Sequence, residues 1–261
     1  MSTLQATLLG VGAVGPGFAD WNTLRALLRG DAEYRPVPCV APVPNALPAA
    51  ERRRTGKATR LALAAGFAAV ADAAADAATL ATVFASSGGD GDNCHAICEA
   101  LAGSDRLISP TRFHNSVNNA ASGYWGIASG AMAPSTMIAA FDGSFAAGLL
   151  EAGGLLASGL PQVLLIAYEA AYPAPLHATR LLSGDCALAC LLATDAAGPR
   201  LRLELCEEAP TVLAQPSLEA LRRGIPAARG LTLLQAVAQA QAQRVVLDYI
   251  DGLQLAVEVQ P

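Results

Sequence analysis

The stretch AAFDGSFAAGLLEAG, residues 139–153, carries the most suggestive chemistry in the chain. An apolar run that reads as a buried strand stops at Asp142, turns over Gly143 and Ser144, and restarts as a helix rich in alanine and leucine. A strand-to-helix corner exposes a side chain beside free helix N–H groups, which is why α/β enzymes place nucleophiles there. Serine or cysteine is the usual occupant, and here it is aspartate. An aspartate ahead of a helix can accept hydrogen bonds from first-turn N–H groups, and its charge suits the positive dipole end, so an N-cap role would account for it. A nucleophilic aspartate is the other reading, but AFDGSFA offers no second acid two residues on and no metal-binding cluster to manage a phosphoryl group.

The other reactive residue types are few. His95, His114 and His177 are the only histidines, so a mechanism needing two imidazoles must draw on these three, and none lies in a nucleophile pattern. Six cysteines without secretory signals read as free thiols, by default buried as small hydrophobes. CHAIC sets Cys94 and Cys98 one helical turn apart beside His95, half of a zinc site, but no second ligand pair accompanies it and no metal is expected. Gly10, Gly12 and Gly15 fit the dinucleotide fingerprint GxGxxG. Yet Pro16 and Gly17 extend the loop where a helix should open, and Asp31 follows a helix rather than a second strand, so a plain glycine turn and no cofactor are expected. Arg52, Arg53 and Arg54 with Lys57 and Arg60 could receive an acidic partner, although adjacent arginines at a helix start are more often a solvated face.

Elements must position these residues, and composition says which kind. Of 261 residues 53% are hydrophobic and only 5% aromatic, which favours helices packed closely on a sheet, an α/β fold, over an aromatic-rich sandwich. Net charge is −5 and Lys57 is the only lysine, so no broad basic face exists to collect nucleic-acid phosphates. No run approaches the roughly 20 apolar residues of a membrane span, and STLQATLLGVG lacks the layout of a signal peptide, so a cytoplasmic protein is expected.

TLLGVGAV reads as a strand, followed by a helix from N-cap Asp20 to Gly30. Five prolines mark 31–54 as a loop, 56–75 has helical spacing, and TLATVFASS reads as a buried strand ending in the turn GGDGDN. A helix over CHAICEALAG, another over 116–130, the strand STMIAAF and a helix running to about Ser158 follow. Apolar strands are expected at 162–168, 186–193 and 201–206, and helices near 217–223 and 231–243. Asp251-Gly252 between alternating runs predicts a closing hairpin.

Over residues 4 to about 195 this order resembles the β-ketoacyl synthases of the thiolase-like superfamily, and specifically their short synthase-like relatives, the chain length factors. The resemblance rests on LLGVGAVGPGFADWNTLRALLRG, FASSGGDG, NNAASGYWGIASGAMAPST, LLASGLPQVLLIAYE and GDCALACLLA, in that order. Laid on the family pattern through Gly123, Gly130 and Pro134, the Ala-Cys pair that carries the nucleophile falls on Phe141 and Asp142. The cysteine is missing. The family's two catalytic histidines lie in the second half of its duplicated fold, and residues 196–261 contain no histidine and are too few to repeat that half.

The resemblance therefore implies one thiolase-like domain over 1–261, truncated to a synthase-like N-terminal half, 1–195, plus a short helix-and-hairpin segment, 196–261. It implies a non-catalytic subunit that pairs with an active ketosynthase in polyene, polyketide or fatty-acid-type chain elongation and meets acyl carrier protein indirectly. Phe113, His114, Asn115, Ser116, Tyr124 and Trp125 become candidates for the shared interface or acyl tunnel, with Phe141 and Asp142 at the corner; for Tyr124 and Trp125 a place in the ordinary core is an equal reading. An unpaired strand near 137–141 would let two subunits continue one sheet. The competing readings are a hydrolase or acyltransferase using Asp142 with His114 or His177, and a homodimeric acyl-binding module.

Overall fold

A computed structural model describes residues 3–261. In chain order the elements are β1 (Leu4–Val14), α1 (Trp21–Arg29), α2 (Ala49–Arg54), α3 (Lys57–Asp72), β2 (Ala81–Ala85), α4 (Gly91–Ala102), α5 (Pro110–His114), α6 (Ala120–Ser129) and β3 (Ser135–Ile138). Then come α7 (Ser144–Ala157), β4 (Gln162–Glu169), α8 (Ala174–Thr179), β5 (Cys186–Ala193), β6 (Arg200–Cys206), α9 (Pro216–Gly224), α10 (Leu231–Gln239), β7 (Gln243–Ile250) and β8 (Leu253–Gln260). The strands form one eight-stranded sheet in the order β3-β2-β4-β5-β1-β6-β8-β7. The β3, β2 and β4 strands are parallel, while β5 to β7 join antiparallel.

Both faces of the sheet are covered at its central strands, which explains why those strands read as unbroken apolar runs. Along β4, Val163, Leu165 and Ala167 enter one core with Phe145, Leu149 and Leu156 of α7 and Leu233 and Leu234 of α10. Leu164, Ile166 and Tyr168 enter the opposite core with Leu61 and Ala65 of α3 and Trp125 of α6. Alternation within one strand thus feeds both layers. Among the described residues no helix is long and apolar enough to cross a membrane.

Local signals that rest on a cap or a turn hold. Asp20 accepts from Thr23 N at 2.7 Å to start α1, Gly30 ends it in the left-handed region, and Gly252 turns the β7–β8 hairpin at φ 76°. Four expectations are corrected. Gly10 and Gly12 lie inside β1, where a Cβ would run into the α3 backbone at Ala69 and Ala65, so they permit close helix–strand packing rather than making a turn. The turn expected at GGDGDN is shorter, because Asp90 caps α4 by accepting from Asn93 N at 3.0 Å, and the helix starts at Gly91. The proline-rich loop contains α2, and the helix expected from 116 opens only at Ala120.

Candidate functional site

The strand ahead of Asp142 ends at Ile138, earlier than its apolar sequence suggests, and the chain passes through a 3-10 turn, Phe141–Gly143, into α7. The strained residue of the corner is Phe141, at φ 51°, a conformation unfavourable for a bulky side chain. Ser144 holds it: its Oγ accepts from Ala140 N at 3.1 Å and donates to the Phe141 carbonyl at 2.7 Å. Gly143 packs against the Tyr249 backbone of β7 so closely that a Cβ would collide with it. The Phe141 ring is 64% exposed and lies under the Arg180 guanidinium, 3.5 Å from the ring centroid.

Asp142 does not cap α7. Gly143 occupies that position and no side chain bonds the helix start. The carboxylate instead faces Arg180 at 3.0 Å and Arg229 at 3.7 Å, because the 3-10 turn swings it away from the helix axis toward the C-terminal segment. From there charges alternate inward. Arg229 pairs with Asp248 of β7 at 2.6 Å, Asp248 also pairs with Arg222 of α9, and Arg222, 4% exposed, is bound by Glu219 at 2.8 Å. An open groove of about 530 Å³ lies over this chain, lined by Phe141, Asp142, Arg229, Asp248 and Gln254 among others.

Beneath the corner, Glu169 ends β4 at 1% exposure and accepts from both the N–H and the hydroxyl of Ser87. Burial pushes its pKa up to about 7, against the lowering effect of the two Ser87 bonds and of Arg180. The arginines, Asp248 and Glu169 all escaped sequence reading. A buried glutamate closing an apolar strand, in QVLLIAYE, was the one visible signal.

The remaining candidates do not gather at the corner. Trp125 stacks on Phe67 with centroids 4.6 Å apart and, like Tyr124, is 2% exposed. Tyr124 donates to Asn115 Oδ1 at 3.1 Å, and Asn115 Nδ2 donates to the Arg54 carbonyl at 2.7 Å, tying α6 to the end of α2. Phe113, His114 and Ser116 are exposed on and after α5. Phe113, Asn115 and Ser116 line a separate cavity of about 410 Å³ between α3, α4 and α6. The His114 ring lies edge-on to Tyr124, His95 pairs with Glu99 at 3.3 Å, and His177 is exposed on α8. Among the described residues the charged partners of Asp142 are the two arginines, so the Asp–His pair of the hydrolase reading is not assembled. Cys186 and Cys190 are buried as expected of small hydrophobes, but Cys94 and Cys98 are exposed, because the face of α4 that carries them looks into that cavity. No group of three or more His, Cys, Asp or Glu among the described residues is placed to hold a metal ion.

The central sheet is covered on both faces, and its third strand turns sharply into a buried helix. The profile of the beta-ketoacyl synthase N-terminal domain matches residues 29–249, and the chain belongs to that family. Solved structures agree on the fold. A ketosynthase, ApeO, in complex with its chain length factor, ApeC, from Xenorhabdus doucetiae matches at TM-score 0.75 and 23% identity over 98% of this chain and 99% of that one. The ishigamide ketosynthase/chain length factor matches at TM-score 0.75 and 16% identity, again over 98% and 99%. A type II polyketide synthase acyl-carrier protein in complex with its ketosynthase, AntDE:AntF, matches at TM-score 0.79 and 11% identity over 99% of each chain. None of the curated proteins matches the sequence.

Proposed function

We propose that this chain is a non-catalytic synthase-like subunit, a chain length factor, that pairs with a catalytic ketosynthase in the cytoplasm during polyene or polyketide-type chain elongation. One observation carries the reading: the corner onto which the resemblance lays the family's nucleophile holds a carboxylate paired with Arg180 and Arg229, and among the described residues no histidine pairs with it. Condensation needs a soft nucleophile for the acyl chain and donors for the developing charge. An acyl-aspartate would be an anhydride, and a carboxylate paired with two guanidinium groups is a poor nucleophile.

Pairing is supported by the sheet. The β3 strand is its edge, and Met132 just before it and Phe141 just after it are 95% and 64% exposed. An unpaired edge between apolar side chains is a template for a second sheet. Carrier protein would meet the complex rather than this subunit alone.

Co-expression with a ketosynthase encoded beside it is expected to yield a stable one-to-one complex by size exclusion and native mass measurement, and substitutions at Phe113 or Phe141 should shift the length of the product. Asp142→Cys should not confer condensation on the isolated chain. A chain that stays monomeric beside every such synthase, or that hydrolyses acyl thioesters alone and loses this in Asp142→Asn, would sink the proposal.

A further inference from the structure

The corner at Asp142 is built around two guanidinium groups that are short of acceptors. Arg180 reaches in from the end of α8 and lies 3.5 Å from the centroid of the Phe141 ring. Its side chain makes one hydrogen bond among the described residues, to Asp142 Oδ1 at 3.0 Å, although a guanidinium carries five N–H donors. Arg229 is held from behind by Asp248 at 2.6 Å and by the Arg223 carbonyl at 3.3 Å, and its Nε is buried with no acceptor. Both arginine side chains are largely buried, whereas the Asp142 carboxylate is half-exposed.

Asp142 fills this site poorly. Arg180 bonds one of its oxygens and Arg229 stands 3.7 Å from the other, beyond hydrogen-bond length, where a well-seated carboxylate takes two parallel N–H bonds of about 2.8 Å. The backbone explains the misfit. Ser144 Oγ accepts from Ala140 N and donates to the Phe141 carbonyl on one side, and Gly143 is wedged against the Tyr249 backbone on the other. Residue 142 therefore cannot shift toward the arginines, and only its side chain is free to turn. The groove of about 530 Å³ opens over the clamp, and its lining also includes Asp248, the exposed Asp251 and Gln254. Such walls suit a small polar molecule rather than a fatty chain, and their carboxylates disfavour a ligand with a second negative charge.

We propose that Arg180 and Arg229 form a binding site for a small polar monocarboxylate, and that Asp142 is its built-in occupant, a side chain that turns out into solvent when the ligand's carboxylate takes its place. The ligand bonds the guanidinium N–H groups that Asp142 leaves unused, and its polar remainder lies in the groove. No covalent step is involved. The site needs neither a nucleophile nor a second subunit, so it stands or falls apart from the pairing with a ketosynthase. Because Asp142 must leave first, the apparent affinity of the native chain is the intrinsic one reduced by the fraction of molecules whose Asp142 is turned out.

The test is thermal melting of the full chain at neutral pH in sodium acetate against sodium chloride of the same ionic strength. In Asp142→Ala the guanidinium groups lose their partner and the melting temperature should fall; acetate should raise it again along a saturating curve that chloride does not reproduce. The native chain should follow the same curve at acetate concentrations at least about tenfold higher, because its own carboxylate competes. Asp142→Asn, which keeps the shape without the charge, should respond between the two, and it carries the test if Asp142→Ala does not fold. Adding Arg180→Gln to either variant should remove the acetate response, and succinate should bind more weakly than acetate. Equal responses to acetate and chloride in the variants, or an acetate response that survives Arg180→Gln, overturns the clamp. A native chain that ignores acetate while the variants respond overturns the exchange and makes Asp142 a permanent ion-pair partner. Tighter binding of succinate overturns the monocarboxylate class.

Discussion

Glu169 shows how a single buried carboxyl sets the pH response of the corner. With its folded-state pKa near 7 and an ordinary value of 4.5 when unfolded, it holds its proton in the native state over a range in which the unfolded chain has released one. Its protonated form favours folding fully below pH 4.5. That advantage drains away as pH rises toward about 7, where the native carboxyl ionises too, and the contribution is flat above that. Urea unfolding across this window should show stability falling with pH, and Glu169→Gln, which keeps an acceptor for Ser87 without a charge, should flatten the slope; identical slopes in both proteins would refute the assignment. Sequence reading reached Asp142 and its corner because both lie in one contiguous stretch. It missed the ion chain because Arg180 is 38 residues away from Asp142, and Arg229 and Asp248 are farther still. Spacing along a chain carries no information about which long side chains meet across a sheet, and the N-cap reading failed for the same reason: the guanidinium groups compete for the carboxylate more strongly than the helix N–H groups.

The element most open to partners is β3. The carbonyls of Pro134 and Ile138 accept from Thr82 N and Ser86 N of the β2 side, so in a parallel ladder the N–H groups of Ser135 and Met137 point outward. The opposite edge is covered at Val246 of β7, where Thr211 donates its N–H to Val246 O and its hydroxyl accepts from Val246 N. Met137→Pro removes one outward donor without touching a bond to β2. It should leave the circular dichroism close to that of the parent, lower the melting temperature modestly because Met137 packs on the α3-side core, and abolish the complex with the ketosynthase, whereas Met137→Ala should keep the complex; retention of the complex in Met137→Pro would move the interface elsewhere. Elements with local signals were legible, as the hairpin at Asp251-Gly252 shows. The end of β3 was not, because Ala139, Ala140 and Phe141 are apolar enough to continue a strand. What stops it is the left-handed backbone of Phe141, imposed by the Ser144 hydrogen bonds and the packing of Gly143 on β7.

On the scale of the whole molecule, the segment that the resemblance implied was a short addition, 196–261, supplies three of the eight strands and one edge of the sheet. It also supplies Leu201, Leu203, Leu231 and Val257 to the core beside α7, and Arg222, Arg229 and Asp248 to the ion chain that ends at Asp142. Its importance was hidden because burial across a sheet is a property of topology, and β6, β8 and β7 extend the sheet beyond β1, the first strand in sequence. Removing it would expose the β1 edge and one face of α7 and leave Asp142 with Arg180 alone. Buried apolar area contributes about 25 cal/mol per Å², and a domain's net stability is only about 5 to 15 kcal/mol, so losing that much core exceeds the margin. Residues 1–195 expressed alone should therefore be insoluble or lack a cooperative transition, whereas the full chain should unfold in a single step with far-ultraviolet circular dichroism and the fluorescence of Trp21 and Trp125 changing together. A soluble 1–195 fragment with a sharp melt of its own would show that the two parts are separate folding units joined along β1.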